Sequence, residues 1–174
     1  MKIQAIKKAC MDREVFYLFN SRSGRQLLSN GVAAWPVEGI NLTAAMIPAL
    51  FDLSEKQVQK LTIHETAVPS EEHYALEPMA GEEELKDLGL IWGAGTFYRA
   101  LQSENGVLFI EAEQTKPGEN KDGKFVYALR KGNWTIPLVA CYGDMLASAF
   151  VMPVKTAAFM ERLEKICLTH RYEL

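Results

Sequence analysis

The chain contains no apolar run of the roughly eighteen residues that a membrane-spanning helix needs. Its first residues, Met1-Lys2-Ile3-Gln4-Ala5-Ile6-Lys7-Lys8, are too charged for the apolar stretch of a secretory leader. A soluble, cytoplasmic protein without a membrane partner is the expectation. Cysteine is scarce. Cys10, Cys141 and Cys167 are odd in number, far apart, and lack a C-x-x-C pair or a histidine at zinc-finger spacing. That argues against a disulfide framework and a structural zinc site, and the three thiols read as small core hydrophobes.

Catalytic motifs are missing too. His64-Glu65 opens a zinc-protease H-E-x-x-H pattern, but Val68 stands where the second histidine belongs. Gly93-Ala94-Gly95 lacks both the third glycine of a dinucleotide fingerprint and a following Gly-Lys-Ser/Thr. A cysteine nucleophile needs a converging base, and none of the three histidines sits in a characteristic motif. No catalytic residue, metal ligand or cofactor is therefore assigned, and an enzyme with an unrecognised site stays as an alternative. A strong excess of one charge is also absent: 19 basic against 22 acidic residues give a net charge of -3. The chain does not coat nucleic acid by bulk electrostatics, although a local basic face is compatible with that average.

What is present is an approximate internal repeat. With Pro36-Val37 placed on Pro153-Val154, an offset of 117, Leu42 falls on Phe159, Met46 on Leu163, Leu50 on Cys167 and Phe51 on Leu168 without a gap. Each Pro-Val closes an extended stretch that follows a turn and precedes an apolar helical stripe. A proline at such a position predicts a sheet edge or the end of a ladder. The aromatic run Val15 to Phe19 predicts a buried strand after a start in which Ile and Lys alternate. The stripe Leu42, Met46, Ile47, Leu50 and Phe51 predicts a helix that Pro48 kinks or splits, and Ser54-Glu55-Lys56-Gln57 a capping box. In the second half, Ser103-Glu104-Asn105-Gly106 predicts a hairpin between Phe97–Leu101 and Val107–Ala112. Strands also follow at 125–129, 134–140 and 145–154, with a terminal helix carrying Phe159, Leu163 and Ile166.

The expected class is α+β: two hairpin-strand-helix units, with mainly antiparallel sheet and helices packed on one face. Residues 1–68 form the first unit and 85–174 the second. Residues 69–84, with Pro69, Pro78 and six glutamates but no Arg or Lys, form an acidic linker. Lys116, Lys121, Lys124, Arg130 and Lys131 gather around one loop and hairpin, and Arg162, Lys165 and Arg171 lie on the terminal helix. Cations that track a phosphate backbone, with Tyr98, Tyr127 or Trp134 for stacking, constitute a candidate nucleic-acid surface.

The stretch Leu146-Ala147-Ser148-Ala149-Phe150-Val151-Met152-Pro153-Val154 resembles the closing strand of bacterial DNA sliding clamps, and Ser29 to Pro36 is similar to a clamp stretch leading to a proline. The resemblance implies a reduced clamp-like module of phage or mobile-element type: non-catalytic, self-associating, binding DNA weakly, and meeting a partner peptide at Met152 and Pro153. The chain is much shorter than a clamp subunit and continues past the proline. A protein-protein assembly module without DNA binding is the alternative.

Overall fold

The computed structural model describes residues 2–93, 95–119, 124–131 and 137–154. The start of the chain is helical: α1 (Ile3–Met11) turns Ile6 and Cys10 inward with no exposed surface. Ile3, Ile6 and Cys10 recur at helical rather than strand spacing, so the Ile/Lys alternation is incidental. Glu14, at φ 55°, ends this turn and directs the chain into β1 (Val15–Asn20).

The strand β1 is followed by β2 (Gln26–Ser29) and β3 (Ala33–Val37), an antiparallel meander with Tyr17 opposite Ser29 and Leu28 opposite Trp35. The β2–β3 turn is held by Asn30, whose Oδ1 accepts the N–H groups of Val32 and Ala33 at 3.1 and 2.9 Å. The stripe after Leu42 becomes a 3-10 turn at Ala44–Met46 and then α2 (Ile47–Leu50), with Pro48 in its first turn. This break shifts the register: Leu42, Ile47 and Phe51 are buried, whereas Met46 is 43% exposed. The predicted capping box forms at α3 (Glu55–Val58), with Ser54 and Gln57 exchanging bonds. The strand β4 (Thr62–Ala67) then returns beside β1, parallel to it.

Beyond a stretch without regular structure come β5 (Glu83–Gly93), β6 (Thr96–Ser103) and β7 (Gly106–Glu111), then β8 (Val126–Arg130), β9 (Leu138–Tyr142) and β10 (Ala147–Val151). Among the described residues the strands form one sheet, ordered β4-β1-β2-β3-β10-β9-β8-β5-β6-β7, with every pairing antiparallel except β1–β4. Helices and a large, mostly antiparallel mixed sheet make the protein α+β. The two strands leading to a Pro-Val lie side by side: Ala33 faces Val151, and Ala34 faces Phe150. Pro36 lies past the end of that ladder, where its missing N–H costs nothing. The segment after Val154, including the predicted helix with Phe159, Leu163 and Ile166, lies outside the described residues.

Both faces of the central strands are covered, which is why β2 and β9 are buried along their whole length. On one face Phe16, Leu18, Trp35, Val139 and Val151 pack beneath Ile6, Leu42, Ile47 and Phe51. On the other, Phe19, Leu27, Ala140 and Phe150 lie beneath Val68, Tyr74 and Leu76. The second cover belongs to residues 68–82, a strap drawn onto the sheet by Arg130. That side chain is 2% exposed and all five of its N–H groups are engaged. Nε donates to Glu82 at 2.6 Å, Nη1 to the carbonyls of His73 and Ala75 at 2.7 and 2.6 Å, and Nη2 to the Glu77 carbonyl and the Tyr142 hydroxyl at 3.0 and 2.6 Å.

Candidate interaction surface

The expected basic surface divides on inspection. Lys121, Arg162, Lys165 and Arg171 lie outside the described residues, as does Trp134. Of the others, Arg130 is committed internally and has no N–H left for a phosphate, which removes it from the candidate surface. Lys116 is ion-paired with Glu113 at 2.5 Å, and Lys131 with Glu83. Lys124 is exposed. Tyr98 and Tyr127 are each 2% exposed, so their rings are closed to stacking with a base. Met152 and Pro153 are half-buried just after β10, and the Met152 N–H donates to the Val32 carbonyl at 2.9 Å.

The two described thiols are equally enclosed, and Cys167 lies outside the described residues. Cys10 and Cys141 have no exposed surface, and burial pushes both well above the ordinary thiol range, so they remain protonated. Among the described residues no group of three or more His, Cys, Asp or Glu is arranged to hold a metal ion.

A different surface stands out. Only Glu83, Glu84 and Leu85 of β5 pair with β8, and the β7 ladder ends at Glu111, opposite Tyr98. Among the described residues, the rest of β5 therefore has β6 as its sole paired neighbour, and past Ile91–Tyr98, where the β7 ladder ends, the β5–β6 tip carrying Trp92 and Phe97 continues as a two-stranded arm. Its root is fixed by Leu85 and Leu101 in the core and by the Asp87–Arg99 ion pair at 2.6 Å. Lys131 and the Glu104 N–H both bind the Glu83 carboxylate, holding its pKa below the ordinary value. A bulge between Asp87 and Gly89 sharpens the twist, with Gly89 at φ 103°, a conformation that suits glycine.

Beyond the bulge the arm is apolar and uncovered. Leu88, Leu90, Trp92 and Phe97 are 49, 53, 61 and 46% exposed. Trp92 lies opposite Phe97, their rings meeting edge to face with centroids 4.6 Å apart. The two rings present on the order of 200 Å² between them, and the leucines bring the patch to the few-hundred-Å² size that commonly marks a contact site. Isolated two-stranded ribbons are marginal in water, so the aromatic pair also braces the arm. A second exposed apolar spot, Met145 and Leu146, occupies the β9–β10 turn beside a shallow cleft lined by Pro36, Glu38 and Pro117.

The arm's chemistry was present in the sequence as the alternation Leu88, Leu90, Trp92. Alternation establishes that these residues share a strand face, but not whether that face is covered. No protein-family model, curated protein or solved structure compared with the chain gives a match.

Proposed function

We propose that the chain is a non-catalytic assembly module that associates with itself through the β5–β6 arm. The exposed Trp92–Phe97 pair is the observation that carries this reading. Aromatic side chains on a braced backbone lose little conformational freedom on binding and dominate contact energies. The leucines supply the surrounding apolar rim, and beyond Leu85 the free side of β5 has no second paired strand among the described residues. Buried and protonated, Cys10 and Cys141 give no support to nucleophilic catalysis.

The clamp-like reading shares the non-catalytic, self-associating character and adds salt-sensitive DNA binding. Its repeat, with 1–68 and 85–174 as equivalent units around the 69–84 connection, is supported by the adjacency of β3 and β10. The burial of Arg130 and the carboxylate partners of Lys116 and Lys131 weigh against its DNA surface.

Sedimentation equilibrium across a wide concentration range tests the proposal. The wild-type chain is expected to self-associate, and the double variant Trp92→Ser/Phe97→Ser to remain monomeric with an unchanged far-ultraviolet spectrum. A wild-type chain that stays monomeric throughout, or a variant that associates equally well, refutes it. DNA retention at low salt that falls steeply as salt rises would return the clamp-like reading to first place.

A further inference from the structure

The two edges of the sheet are finished differently. On the β7 edge the chain closes on itself: the Val154 N–H donates to the Phe109 carbonyl at 2.7 Å. Among the described residues the β4 edge has no such cover. Thr62 donates its N–H to Glu14 and Val68 donates its own to Asn20, both at 3.0 Å, which fixes the phase of the β1–β4 ladder. Even-numbered residues of β4 therefore address β1, while Ile63, Glu65 and Ala67 direct their N–H and C=O groups away from the sheet.

Natural edge strands are commonly blunted by proline, lysine, a bulge or a covering segment. The β4 strand contains neither proline nor lysine, and its register with β1 runs unbroken from Thr62 to Ala67. Beside the edge lies a shelf of rings. His64 stacks on Tyr17 at 4.9 Å and 16°, and Tyr17 on Phe19 at 5.8 Å and 28°. On the opposite face the Glu65 carboxylate is occupied, accepting from Asn20 Nδ2 at 3.1 Å and from the Ala44 N–H at 2.8 Å.

We infer that the β4 edge takes up an extended peptide segment of a partner protein as an added strand. Main-chain bonds to Ile63, Glu65 and Ala67 supply the affinity, and the Tyr17–His64 shelf selects aromatic or long apolar side chains on alternate residues. A second copy of this chain fits poorly. The two-fold antiparallel register that uses all three outward residues of both copies sets Glu65 against its own counterpart, and like charges directly opposite oppose pairing. Sliding toward the strand start drops Ala67 from the ladder, and sliding the other way drops Ile63. The favoured segment thus carries no acid opposite Glu65. This site is separate from the β5–β6 arm.

The probe is a displayed library of random heptapeptides, selected on the full chain, with the enriched sequences then made as capped peptides. Enriched peptides should alternate apolar and polar residues. They should slow amide exchange at Ile63, Glu65 and Ala67 by about tenfold or more and leave His64 and Thr66 unchanged. Ala67→Pro, which removes one outward donor at the strand end, should weaken binding about tenfold, as should N-methylation of alternate peptide amides, a control that leaves the protein untouched. Trp92→Ser/Phe97→Ser should bind the peptides as the wild type does, whether or not the arm mediates assembly. Failure to enrich any peptide, binding indifferent to both backbone changes, or protection confined to other strands would overturn the inference. So would protection of β4 that rises with protein concentration alone, which would assign the edge to a second copy.

Discussion

Replacing Arg130 with methionine probes the strap most directly, since methionine keeps much of the length and apolar stem but removes every donor. The guanidinium serves five acceptors, three of them carbonyls of residues 73–77, and lies over the Phe150 ring at 5.2 Å. Without it, the Glu82 carboxylate, only 10% exposed, keeps the Tyr142 hydroxyl as its donor but loses its cationic partner. Removing one member of a buried ion pair costs about 3–5 kcal/mol. Each carbonyl left dry would add about 1–3 kcal/mol. The strap can lift to wet them, so the larger sum is not reached and about 4 kcal/mol is the expected loss. At this chain length that corresponds to a fall in Tm of about 10 °C.

Thermal unfolding followed by circular dichroism measures the fall, and limited proteolysis locates it. Cleavage should accelerate within 69–82 before the rest of the chain is attacked. Adding Glu82→Gln to Arg130→Met should recover part of the loss, because the stranded charge is then gone. A Tm within a couple of degrees of wild type, with unchanged cleavage, would show that Arg130 does not hold the strap.

Three other outcomes follow from particular contacts. Gly118→Ala should destabilise the protein by about 1–3 kcal/mol in urea denaturation, because its added Cβ would sit 2.6 Å from the Ser148 carbonyl oxygen. Ser54→Ala removes the cap of α3 and should lower stability by about 1 kcal/mol or less, read from the same denaturation midpoint. Acid should also destabilise the strap region. The carboxyl of Glu71, bonded by the Arg22 N–H and the Ser21 hydroxyl, and that of Glu77, bonded by backbone N–H groups and Arg25, are both held below their ordinary value of 4.5. Groups depressed on folding stabilise above their unfolded pKa and lose that contribution as pH falls through the folded one. The loss should therefore develop below about pH 4.5, and Glu71→Gln should flatten it in acid titrations of stability; an unchanged profile would remove Glu71 from the account.

Much of the architecture was legible because it rests on local chemistry. Asn30-Gly31 and Asn105-Gly106 mark turns, the Val15 to Phe19 run forms a strand, and Ser54 with Gln57 caps a helix. Each depends on residues within a few positions of one another. The Ile/Lys opening was legible only with Cys10 added, since Ile3 and Ile6, three apart, share a helical face but two residues are too few to establish a period. The stripe after Leu42 failed at Met46 because Pro48 splits it into a 3-10 turn and a short helix, which keeps Leu42, Ile47 and Phe51 inward and turns Met46 out. Functional residues were less legible for a different reason. A cluster of Lys and Arg near one hairpin looks like one surface, yet the partners that decide its availability lie far away in sequence. Arg130 meets carbonyls more than fifty residues upstream, and Lys131 meets Glu83. The acidic stretch 69–84 read as a linker between units because its charges had no local partners, but Arg25 binds Glu77 and the Arg22 N–H binds Glu71 from across the chain. Exposure is likewise a property of the whole sheet: Leu85 and Trp92 lie on the same strand and belong to the same residue class. Only the end of the β8 ladder at Leu85 makes the first a core residue and the second an exposed one.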